Sequence, residues 1–111
     1  MGVRIGDAVA YVTDTTVLET TGTFAQGVRL LLHETWMTDD EAERDEGERS
    51  RHSYVSGVAR IAERAGAGSL MPVHHHPGRS DLDILGLVQG MRDLTGMEVW
   101  VPEERKIYEL D

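Results

Sequence analysis

The sequence predicts an α/β fold. Three short apolar runs, at residues 8–12, 28–32 and 70–73, are separated or followed by segments of helical periodicity, and each run leads into residues able to bind a metal or move a proton. Apolar runs of this kind suit strands buried on both faces, and the carboxyl ends of such strands are where open α/β sheets place ligands. A chain of 111 residues has room for one domain with a single modest core.

The first run, residues 8–12, passes through Thr13 into Asp14. Residues 15–27 read as an irregular crossover with at most one weak turn of helix. The second run, 28–32, is followed at once by His33, Glu34 and Thr35. Between 38 and 48 lies a dense acidic stretch, which reads as a solvated excursion with a short helix capped by Thr38 or Asp39. The clearest helix covers 53–66: Val55, Val58, Ala59, Ala62 and Ala65 share one face, and Gly66 supplies a stop. The third run, 70–73, contains Pro72, which implies an interrupted ladder or an edge position, and it leads into His74, His75 and His76. Ser80 caps a further helix with Asp83 in its first turn and an apolar face at Ile84, Leu87, Val88 and Met91, widened by Leu85 and Leu94. Residues 99–101 and 106–110 read as a terminal hairpin turned at 102–105. No internal repeat or linker interrupts the chain, so residues 1–111 read as one unit.

Composition narrows the chemistry. Twenty acidic residues against eleven basic ones give a formal charge of −9, which disfavours a broad nucleic-acid surface. A phosphate-containing substrate held through metal ions remains compatible, because the ions reverse the local potential. The chain has no cysteine, so disulfides, thiolate nucleophiles and cysteine-ligated zinc are excluded. Any metal would be held by imidazole and carboxylate, a donor set suited to zinc first, with manganese or iron as alternatives. No apolar run reaches the roughly 20 residues that a membrane helix needs, and the first residues lack the form of a secretion signal, so a cytoplasmic location is expected.

Asp14, Glu34 and His74 follow the three strands, and His52 immediately precedes the main helix. If the strands point to one edge, these groups meet in one crevice, where a carboxylate such as Asp14 can bridge two cations. Each also has a plainer role: Asp14 ordering a turn, Glu34 in an ion pair, His52 at a helix start, the three histidines in a polar loop. Trp36, Trp100 and the tyrosines read as packing residues.

The order of these motifs resembles the metallo-beta-lactamase superfamily, especially the tRNA 3′-end processing endonucleases and related hydrolases. Tyr11-Val12-Thr13-Asp14-Thr15 looks like the strand that runs into their metal-bridging aspartate. His33-Glu34-Thr35 matches their histidine-glutamate pair, and His52-Ser53 resembles their histidine-serine pair before a helix. Leu70-Met71-Pro72-Val73-His74 has the form of their last ligand strand. By this resemblance the fold is the second half of an αββα sandwich, Asp14 bridges two metals, and His74 binds one of them. Glu34 and His52 become candidates for proton transfer or for steadying the scissile group, and His75 shapes the metal loop.

One departure accompanies the resemblance. Relatives carry an early H-x-H-x-D-H cluster, whereas the first histidine here is His33. The expectation is therefore a partial domain lacking the N-terminal ligand half. Its apolar faces should seek that half, or a second copy in a homo-oligomer. Metal-dependent hydrolysis of a phosphodiester, ester or amide is expected when the site is completed, with little or no turnover by the isolated chain. The alternative is a non-catalytic oligomerising or interaction module derived from the same fold.

Overall fold

The computed structural model describes residues 2–103. Among them, five strands form one sheet in the order β1 (Gly2–Ile5), β2 (Val9–Val12), β3 (Leu30–Glu34), β4 (Ser69–Val73) and β5 (Glu98–Val99). The β1–β2 pair is antiparallel, and the remaining pairs are parallel. Parallel neighbours need crossovers, and helices supply them. α1 (Glu19–Phe24) joins β2 to β3. The next crossover contains α2 (Asp39–Arg44), α3 (Glu46–Arg49) and α4 (Val55–Ala65), and α5 (Asp81–Thr95) joins β4 to β5.

The core lies on the helical side of the sheet. Ala10, Leu31, Leu70 and Val99 are in register across β2 to β5 and pack with Val58, Ile61 and Ala62 of α4 and Leu87, Val88 and Met91 of α5. The periodic face read over 53–66 is this packing face, and Gly66 ends α4 in the left-handed conformation expected of its stop. Alternation sends Val3, Tyr11, Leu32 and Met71 to the opposite face, where Val3 and Tyr11 are exposed, as is Ile5 of β1.

Several sequence expectations change in detail. The 15–27 crossover holds a six-residue helix rather than a weak turn. Its Thr- and Gly-containing sequence has little helical preference, and packing against α4 stabilises it instead. Residues 2–5 form a strand that the apolar pattern did not reveal. β4 is interior, not an edge, yet Pro72 breaks no bond. The Leu70 carbonyl accepts from Trp100 on the β5 side and the Val73 carbonyl from Thr35 on the β3 side, so alternation turns the Pro72 nitrogen toward β5, beyond that strand's last residue. Trp100 follows β5 directly; the second arm of the terminal hairpin, residues 106–110, lies outside the described residues.

The capping signals are realised. Thr38 with Glu41, and Ser80 with Asp83, form reciprocal capping boxes at α2 and α5. The acidic excursion therefore places Asp39, Asp40 and Glu41 in the first turn of α2, where the helix dipole favours negative charge.

A carboxylate–imidazole cluster at the strand ends

Register brings the functional residues together. Val12 pairs with His33, His33 with Pro72, and Glu34 with Val73, so β2, β3 and β4 stop nearly level and release the chain at one edge. Asp14, Glu34 and His74 each offer a ligand atom there, all within 4.8 Å of one another. Asp14 Oδ1 lies 3.5 Å from His74 Nδ1, which is also 3.0 Å from Thr13 Oγ1. Asp14 (φ 52°) and His74 (φ 51°) are the two non-glycine residues with left-handed backbone among the described residues. Strained conformations concentrate at ligand sites, because surrounding structure must hold them in place.

Glu34 is fully buried but completely engaged. Its Oε1 accepts from the Thr15 amide at 2.7 Å, and Oε2 accepts from the Ser53 amide at 2.9 Å. His52 Nδ1 donates to the same carboxylate, 3.1 and 3.2 Å from its two oxygens. Three converging donors satisfy the buried side chain and tie the chain after β2 to the chain before α4. A Ser53 hydroxyl bond to the Thr15 carbonyl at 2.6 Å reinforces that link. All four candidates, Asp14, Glu34, His52 and His74, thus gather at one edge of the sheet. The freer donors are Asp14 and His74, whereas Glu34 is committed to orienting His52.

Two contributors lay outside the sequence-based set. Trp36 stacks on His52, with ring centroids 4.1 Å apart and planes 9° from parallel, and it meets His74 and His76 edge-on at 5.2 Å. It is a packing residue, as read, but what it packs against is the cluster. Arg79 donates to the Trp36 carbonyl at 2.8 Å and pairs with Glu41, whose carboxyl the guanidinium lowers from 4.5 to about 2. No local spacing announces either contact; Glu41 and Arg79 are 38 residues apart.

His33 and His75 play a different part. Each Nδ1 donates to a backbone carbonyl, of Glu34 at 2.8 Å and of Thr35 at 3.2 Å, and burial holds both imidazoles below their usual pKa. They brace the strand ends as neutral rings. His76 Nδ1 accepts from the Gly78 amide at 3.1 Å, closing the turn after the histidine run.

Comparison with known proteins bears on the fold. No protein-family model matches the chain. The metallo-beta-lactamase fold protein YhfI of Bacillus subtilis superposes with a TM-score of 0.72 at 22% identity, over 92% of this chain and 39% of that one. The chain has a metallo-beta-lactamase-like fold. Over 101 residues it is also 35% identical to the Ribonuclease Z of Natronomonas pharaonis, a match covering 91% of this chain and 32% of that protein. It therefore spans about a third of the length of that curated relative. The metallo-beta-lactamase-like fold implies metal ions, and the mixed oxygen and nitrogen donors of Asp14 and His74 fit a borderline divalent cation. Asp14 and His74 alone fall short of the usual four ligands. No helix among the described residues is long and apolar enough to cross a membrane.

Proposed function

We propose that this chain supplies one side of a metal-dependent hydrolytic centre, with Asp14 and His74 as metal ligands and Glu34–His52 as the proton-handling pair. The observation that carries this reading is the Asp14–His74 approach at 3.5 Å, held by left-handed backbone at both residues and set beside the buried Glu34 carboxylate. Zinc is the first assignment, with manganese or iron as alternatives. The remaining ligands come from an N-terminal half, in a longer parent chain or a separate subunit, or from a second copy. The likeness to Ribonuclease Z supports a phosphodiester ahead of an ester or amide. The acidic surface favours access at the cluster over a broad nucleic-acid contact.

A bound divalent cation would supply Lewis acidity toward the scissile group and acidify water at the cluster. The chain's own residues provide orientation and proton movement. Glu34 accepts from Nδ1 of His52, which fixes the tautomer and leaves Nε2 as the atom that exchanges a proton with the reacting oxygen. The Thr15 and Ser53 amides hold the Glu34 side chain in place in its buried position.

The test is metal binding and turnover together. Titration with zinc and manganese should give binding that Asp14→Asn and His74→Ala abolish. Hydrolysis of bis(p-nitrophenyl) phosphate should appear when the chain is combined with an N-terminal half bearing an H-x-H-x-D-H cluster. Metal uptake indifferent to both substitutions would end the proposal.

A second reading has its own observation. Val3 (57%), Ile5 (66%) and Tyr11 (40%) are exposed apolar residues on the β1–β2 pair, as an interaction or self-assembly module would require. A stable oligomer unaffected by chelation, with no hydrolysis in any combination, would favour it.

A further inference from the structure

We propose that Trp36 is a positioning residue for His52: its indole fixes the plane of the imidazole, and with it the aim of Nε2. This rests on the hydrolytic reading above, because the proton transfer it serves is the one assigned there to Glu34 and His52.

The covalent bond at Cγ and a hydrogen bond at the adjacent Nδ1 fix one edge of a histidine ring but let its far edge rock about the line joining them. Glu34 gives His52 such a bond, at Nδ1 alone. The indole removes the remaining freedom, lying 9° from parallel with ring centroids 4.1 Å apart. His52 also meets His74 edge-on at 6.0 Å. Rocking about that line would therefore carry the opposite edge of the ring toward or away from the candidate metal ligand. Two contacts at different points of the imidazole achieve what neither achieves alone.

Trp36 is itself anchored. Its amide donates to the Ser53 carbonyl at 3.1 Å, its carbonyl accepts from Arg79, and Glu41 holds Arg79 in turn. The edges of His74 and His76 close in from the other side. The residue type is informative as well. The Trp36 Nε1–H is buried with no hydrogen-bond partner among the described residues. That donor contributes nothing to the stack, so a flat ring without it should serve the imidazole as well, whereas an aliphatic side chain should not.

Ring order in the full chain, read by 13C relaxation at the histidine Cε1–H, tests the proposal without turnover. The His52 order parameter in Trp36→Phe should match the wild type, and in Trp36→Leu it should fall clearly below both. An unchanged value in Trp36→Leu overturns the proposal. Fluorescence of the Trp100→Phe form gives a check that needs no Trp36 variant to fold. His52→Ala should brighten Trp36 by removing the stacked ring, and unchanged emission counts against the stack. In the metal-loaded, completed assembly, Trp36→Leu should lower kcat about tenfold with KM unchanged, while Trp36→Phe stays within about threefold. Should His52→Asn leave hydrolysis undiminished, the proton-transfer reading fails whatever the ring order. Should His52→Asn slow hydrolysis while Trp36→Leu alters neither ring order nor kcat, the reading survives and the positioning role fails.

Discussion

Asp14 and His74 hold a backbone conformation that costs a side-chain-bearing residue roughly 1–2 kcal/mol, less for aspartate. Asp14 is mostly exposed and has few contacts to lose, so Asp14→Gly should raise the unfolding free energy by about 0.5–1 kcal/mol while eliminating metal binding. Urea denaturation paired with metal titration measures both; a destabilised glycine variant would contradict the strain argument. Glu34 predicts the reverse. Replacing it by alanine strands the Thr15 and Ser53 amides and the His52 ring, and should cost about 3 kcal/mol. Glu41 gives a pH signature. Its folded pKa lies below its unfolded value, so the Arg79 pair contributes above pH 4.5 and that contribution disappears as pH falls from 4.5 toward 2. The Glu41 end is 38% exposed, and solvent screening limits the pair to about 1 kcal/mol. Acid titration of Glu41→Gln against the wild type should show the difference closing across that window.

At the scale of elements, α5 makes its own prediction. A Cβ built at Gly86 meets nothing within 4 Å, so Gly86→Ala should stabilise the chain by about 1 kcal/mol, measured as a shift in the urea midpoint. No shift would contradict the propensity argument at this position. What the sequence disclosed about elements followed local physics. The α4 face, the caps at Thr38 and Ser80, and the three strands ending in Asp14, Glu34 and His74 all rest on neighbours a few positions apart. α1 was obscure because Glu19–Phe24 has weak intrinsic preference and draws its order from α4. β1 offers four residues with a broken apolar pattern. The Trp36 stack joins residues 16 positions apart, and no propensity records which ring an indole will face.

For the whole molecule, β1 and β2 present apolar side chains while the chain as a whole carries a charge of −9. Replacing Val3 and Ile5 together by lysine should reduce any self-association seen by sedimentation without lowering stability by more than about 1 kcal/mol, because both side chains are exposed. Unaltered association would locate the contact elsewhere. The shared stopping point of β2, β3 and β4 also separates two kinds of change. Exchanging the residue just past a strand alters which donor enters the opening and leaves the hydrophobic layer alone. Deleting one residue within β3 would retract Glu34 by about 3.3 Å and invert the facing of everything beyond the cut, turning His33 out of the interior. Strand length is thus a gauge that new chemistry must keep, and the tips are where it can be rewritten.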